Sequence, residues 1–202
     1  MRTFLTALLI LIAILMATPS ASHACGHDGL YIGAGYSQSL MFSADKRRAF
    51  GFTNDRVLFG PGFGGHVVVG YDFCGSRWGL QVPFEFTTMR LNRSERVMFM
   101  SGAIEPVLHI ASWENGMDFH LIGGVGPSYL NEGTIRDLTS SVGINFGMGP
   151  GLSWFLSRQN DFSVAASLDV PFRVIYFFGN RLSNNGTLVF NVPLRLSFTF
   201  GF

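Results

Sequence analysis

Six ionisable side chains stand inside stretches that otherwise alternate between apolar and small residues: His66, Glu85, Glu105, Asp169, Arg173 and Arg195. A charge confined among such neighbours is costly unless paired, so carboxylates, guanidiniums and an imidazole placed this way are expected to form one hydrogen-bonded ion network. His109 and His120 supply two imidazoles not far from Glu105, the donor types of a metal site. Without a third histidine, a polar lining is the simpler reading, and no metal or cofactor is expected. Cys25 and Cys74 could form a disulfide, with a free or acylated Cys25 as the alternatives. The clusters Gly33-Ala34-Gly35 and Gly147-Met148-Gly149-Pro150-Gly151 superficially suggest phosphate loops. Neither opens a helix, so they read as room for curvature and close packing.

The elements that must position these residues have a period of two. From Leu188 the even positions are Leu188, Phe190, Val192, Leu194, Leu196, Phe198, Phe200 and Phe202, while the odd ones include Asn191, Arg195, Ser197, Thr199 and Gly201. Such alternation is a strand with one apolar and one polar face, longer than the usual 5–6 residues of a soluble sheet. Phe162 to Tyr176 repeats the pattern with Asp169 and Arg173 on the polar face, and Asp169 falls almost opposite Arg195 in the resulting hairpin. Segments around Ile32, Val67, Val82, Met100, Leu121 and Phe146 carry the same alternation with more glycine. Eight strands result. Counting along them puts His66, Glu85, Glu105, Asp169 and Arg195 near mid-height, Arg173 somewhat above, and His109 and His120 on neighbouring strands near one mouth.

Composition decides which face is the core. Hydrophobic residues make up 48% of the 202, and only 13% are charged, with formal net charge +1. That is about half the charge of an ordinary soluble domain, and it offers no basic excess for a phosphate backbone, which argues against nucleic acid as a partner. The polar faces are mainly Gly, Ser, Ala and Thr, too small and uncharged for a solvated surface. Small residues suit a cramped interior and large aliphatics suit lipid, so the polarity reads as inside out. Met1-Arg2 followed by the apolar Phe4 to Ala17 and the small-residue site before Cys25 reads as a signal peptide over 1–24, with the mature chain over 25–202. Connections at Cys74–Gly79, Trp113–Gly116 and Ser157–Asn160 read as short. Those at Ser43–Gly60, Arg90–Arg96, Asn131–Ser140 and Gly179–Gly186 read as long, so the lengths alternate.

With these features the chain resembles the eight-stranded outer-membrane barrels of the OmpA/OmpX type over nearly all of Gly29 to Phe202. The resemblance implies an all-β, up-and-down antiparallel transmembrane barrel in a Gram-negative outer membrane, with both termini periplasmic. The ending, with Phe198, Phe200 and Phe202, resembles the C-terminal signal read by the bacterial barrel-assembly machinery. Other expected contacts are outer-membrane lipids and lipopolysaccharide, the latter through basic loops carrying Lys46, Arg47, Arg48 and Arg56, then Arg90, Arg93 and Arg96.

Eight strands leave an interior just wide enough for side chains to fill. The expected role is therefore structural or surface-interacting, in a monomer with a plugged lumen; a narrow small-solute pore is the alternative. No enzyme is expected, since no Ser/His/acid set falls on the lipid face, the expected extracellular loops contain no histidine, and a polar lumen makes a poor acyl pocket. A lipid-modifying enzyme is the least favoured reading. No peptidoglycan-binding domain is expected after the barrel.

Overall fold

Alternation of large apolar with small or polar side chains leaves a strand only one way to satisfy both faces, and a sheet of such strands removes its exposed edges by closing. The computed structural model of the chain does so. It describes residues 27, 29–43, 59–91, 95–131, 141–159, 162–178 and 187–202. These form ten hydrogen-bonded segments: β1 (Leu30–Ser43), β2 (Gly62–Asp72), β3 (Trp78–Leu91), β4 (Glu95–Gly102), β5 (Glu105–Ser112), β6 (Met117–Asn131), β7 (Ser141–Gln159), β8 (Phe162–Asp169), β9 (Phe172–Phe177) and β10 (Thr187–Gly201). All neighbours are antiparallel, and β1 pairs with both β2 and β10, which closes the ring.

The ten segments make eight staves. The β4–β5 pair is one strand in register: against β3 it runs from Phe84↔Gly102 to Gln81↔Glu105 without a shift. The β8–β9 pair is likewise continuous against β10, from Arg195↔Asp169 to Asn191↔Arg173. Proline explains the interruptions, because it has no N–H to give to the ladder. Pro83 lies in register with Ala103 at the first break, and Pro171 sits in the second.

At one end, the turn end, two tight connections join β2 to β3 and β5 to β6. Each places a glycine in left-handed backbone, Gly75 (φ 70°) and Gly116 (φ 83°), a conformation other residues adopt at a cost. The β7–β8 connection after Gln159 also lies at this end, and the other end, the loop end, holds β1–β2, β3–β4, β6–β7 and β9–β10. The expected alternation of short and long connections fails there, because β3 runs to Leu91 and β4 starts at Glu95. The linking residues 92–94 are fewer than the 73–77 of a turn-end connection. The expected turn at Ser157–Asn160 is also displaced, since β7 continues to Gln159 after a register shift between Phe155 and Ser157. Residues 1–24, read as the signal peptide, and Cys25 lie outside the described residues.

Large hydrophobics cover the outside. Phe84, Phe146, Met148, Trp154, Leu196 and Phe198 are all exposed, Met148 at 72%. Ser37, Thr87, Glu85, Asn145, Asn191 and Arg195 are buried within the ring.

Candidate functional site

The lumen is stacked in three tiers, and the loop-end tier corrects a sequence expectation. Inward residues near that end are not mainly small and polar, although Ser141 and Thr187 are among them. Met41, Met89, Val97, Phe99, Leu130, Ile175, Phe177 and Val189 pack into one buried hydrophobic cluster, with Phe59 against it. The two-residue period survives there, but both faces are apolar, so the pattern of residue types no longer tells inside from outside. The polar lumen expected from the small-residue faces therefore holds only for the middle and turn-end tiers.

The middle tier is ionic. Glu105 on β5 accepts from Arg173 Nη2 on β9 at 2.8 Å, from Arg195 Nη2 on β10 at 3.0 Å and from Gln81 Nε2 on β3 at 2.9 Å. Glu85 on β3 lies 3.0 Å from Arg173 and 3.4 Å from Arg195, and Asp169 lies 3.5 Å from Arg195. Arg173 also donates to Ser101 Oγ at 2.9 Å. Both guanidiniums are 1% exposed, so each depends on carboxylates from several strands for its compensation. Of the six residues the sequence groups here, the structure brings five together. His66 is buried in register with Glu85, but its Nδ1 has no hydrogen-bond partner and no ion pair joins it to the network among the described residues.

The turn-end tier contains what sequence reasoning missed. His109 and His120 face inward as a cross-strand pair, but their partners are aspartates and not Glu105, which the two arginines engage. His109 Nδ1 is 2.8 Å from Asp118 Oδ2, and its Nε2 is 3.3 Å from Asp72 Oδ1. His120 Nε2 is 3.0 Å from Asp169 Oδ1, while its Nδ1 lies 3.5 Å from Asp118 Oδ2 without a hydrogen bond. A bulge between His109 and Ala111 advances β5 by one residue, so Ser112 instead of Ala111 comes opposite Asp118 and donates to its Oδ1 at 2.6 Å. Backbone proximity also matters. A Cβ on Gly151 would collide with His120 Nε2 and Asp169 Oδ1, so only glycine leaves room for that pair.

His27, just before β1, closes this tier. Its backbone N–H donates to Asp72 Oδ2 at 2.7 Å, and its ring nitrogens lie 2.6 Å from Ser163 Oγ and 2.8 Å from Thr199 Oγ1. Burial pushes the imidazole down to about 4, so it is uncharged near neutrality. No strand alternation reaches His27, so its inward placement is not legible from the pattern of residue types. Behind it lies a cavity of about 30 Å³ lined by Tyr31, Asp72, His109, Asp118, His120 and Asp169 among others. That is room for one or two waters.

Other candidates fall elsewhere. Cys74 is exposed in the β2–β3 turn. Arg90 and Arg96 face each other across β3 and β4 at the loop end, both exposed. Lys46, Arg47, Arg48, Arg56 and Arg93 lie outside the described residues. Phe198, Phe200 and Phe202 stand on the outer face.

No protein-family model matches the chain, and no curated protein matches it in sequence. Solved structures do match in shape. Neisserial surface protein A aligns with a TM-score of 0.61 at 14% identity, covering 86% of this chain and 97% of that one. The fold is that of the small outer-membrane β-barrels. The outer membrane protein OprG from Pseudomonas aeruginosa aligns with a TM-score of 0.53 at 10% identity, covering 88% and 97%. At such identities the likeness concerns the backbone fold alone.

Proposed function

We propose that the chain is an integral outer-membrane barrel with a sealed lumen, acting in envelope structure or surface interaction and not as a pore or an enzyme. The inverted polarity supports the membrane setting. Phe, Leu, Val and Trp side chains cover the outside, and two fully enclosed guanidiniums sit inside, an arrangement that water outside the barrel would penalise and hydrocarbon favours. The two neighbours described above carry outer-membrane or surface names.

One observation carries the sealed-lumen reading: the hydrophobic cluster of Met41, Met89, Phe99, Leu130 and Phe177 stacked above the Arg173–Glu105–Arg195 network. A hydrated ion moving along the axis would have to part both tiers, one dry and one held by ion pairs from four strands. The expected contacts with outer-membrane lipid and lipopolysaccharide rest on the apolar belt and on Arg90 and Arg96 at the loop end. The resemblance of the Phe198-Thr199-Phe200-Gly201-Phe202 ending to an assembly signal points to the barrel-assembly machinery during biogenesis.

Planar-bilayer recording of the purified protein tests the reading. Rare or no openings are expected; a stable, large conductance overturns it and favours the narrow-pore alternative. Membrane placement is tested separately by fractionation and by solubility. A chain that stays monomeric and folded in buffer without detergent refutes it.

A further inference from the structure

The turn-end tier sets buried carboxylates against imidazoles, with no guanidinium of its own among the described residues. Across the buried lumen, Asp72, Glu85, Glu105, Asp118 and Asp169 face two guanidiniums, Arg173 and Arg195, and the imidazoles of His109 and His120, so carboxylates outnumber fixed cations by three among the described residues. The two arginines are committed to the middle tier. What remains near the turn end is Asp72 and Asp118 set against two imidazoles, beside a small cavity. In a confined space such an excess calls for a cation.

The geometry provides ligands for one. One ligand atom from each of His109, Asp118 and His120 lies within 4.8 Å of the others, and all three residues are buried. The edge of a zinc tetrahedron with bonds near 2.0–2.1 Å is roughly 3.3 Å. His109 Nδ1 to Asp118 Oδ2 at 2.8 Å and His120 Nδ1 to Asp118 Oδ2 at 3.5 Å bracket that value. His120 Nδ1 is buried, lies 3.5 Å from Asp118 Oδ2 and makes no hydrogen bond, so it is not engaged elsewhere as a donor or acceptor. The outer shell is in place as well. The opposite nitrogen of each ring meets a carboxylate, His109 Nε2 on Asp72 and His120 Nε2 on Asp169, the arrangement that fixes tautomer and ring orientation at metal sites. Ser112 Oγ occupies the second oxygen of Asp118.

We propose that His109 Nδ1, His120 Nδ1 and Asp118 Oδ2 bind one divalent transition-metal ion of the zinc type, with a water from the adjoining cavity as fourth ligand. Two nitrogens and one oxygen suit Zn²⁺ and its first-row neighbours and do not suit Ca²⁺ or Mg²⁺, which take oxygen donors. The ion clamps the β5–β6 hairpin and, through Asp72 and Asp169, ties it to β2 and β8 across the lumen. This site is independent of the sealed-lumen reading, since a conducting barrel could carry the same clamp.

The test uses the detergent-folded barrel with Zn²⁺ alone, stripped first with a chelator. Equilibrium dialysis is expected to give one saturable ion per chain, with a rise in melting temperature on loading. Asp118→Asn and His120→Gln should weaken binding by at least about tenfold, and Asp72→Asn by roughly 10–100-fold through the outer shell. Heat-modifiable migration on gels checks that each variant is folded. If the variants do not fold, X-ray absorption at the zinc edge of the wild-type complex decides, with two imidazoles at about 2.0–2.1 Å expected. Absence of saturable binding, equal affinity in folded His109→Gln and His120→Gln variants, or a shell containing sulfur, which would place the ion on cysteine, overturns the proposal.

Discussion

Replacing Arg195 with methionine tests whether the middle tier holds the barrel together. The side chain is buried and reaches Glu105 at 3.0 Å, Glu85 at 3.4 Å and Asp169 at 3.5 Å. Methionine fills much of the same volume but leaves Glu85 and Glu105 sharing Arg173, and Asp169 with His120 alone. Removing one partner of a buried ion pair costs about 3–5 kcal/mol, and three carboxylates losing a guanidinium at once put this change at the upper end, about 5 kcal/mol. With a urea slope of about 2 kcal/mol/M the unfolding midpoint should fall by about 2.5 M. The assay is equilibrium unfolding in lipid vesicles followed by tryptophan fluorescence, with Trp78 and Trp154 exposed on the strands β3 and β7 and therefore sensitive to leaving the bilayer. Adding Glu105→Gln to Arg195→Met removes one of the stranded charges, and the pair should recover about 2 kcal/mol relative to the sum of the single changes. A midpoint shift under about 0.3 M for Arg195→Met would match a surface substitution and would refute the reasoning.

Phe84→Arg, on the outer face near mid-height, should cost about 2–4 kcal/mol in vesicles, measured by the same unfolding curve, because it carries a charge into hydrocarbon. Gly151→Ala should destabilise the turn-end tier by forcing His120 and Asp169 apart, seen as faster hydrogen exchange of the β6–β7 ladder with little change at the loop end. The docking of His27 should weaken as the pH falls. Its folded value of about 4 lies below the ordinary 6.5, so protonation favours the released state, and the contact is lost progressively between about 6.5 and 4. Asp72, Asp118, His109 and Arg158 face the same ring, and NMR of the His27 side chain follows its titration. Phe202→Ala should slow assembly into the outer membrane in cells while leaving the folded barrel's melting temperature nearly unchanged, as read by pulse-chase and by thermal scan.

The strand pattern was legible because a one-residue slip would turn every side chain to the wrong face, so alternation carries the inside and outside of each stave. The same counting put Asp169 opposite Arg195, which is their register. It could not see that Val97, Phe99, Ile175 and Phe177 turn inward, since apolar residues on both faces leave the period without a sign. Nor could it find Asp118 and Asp72 as the partners of His109 and His120. Those meetings depend on barrel closure, on strand stagger and on a single bulge at the end of β5, none of which leaves a mark in local sequence. Chain-local physics determined the staves and their two faces, because side-chain direction repeats every two residues. Only the closed ring decided which charges share a tier, because neighbours across a lumen are set by shear and diameter and not by position along the chain.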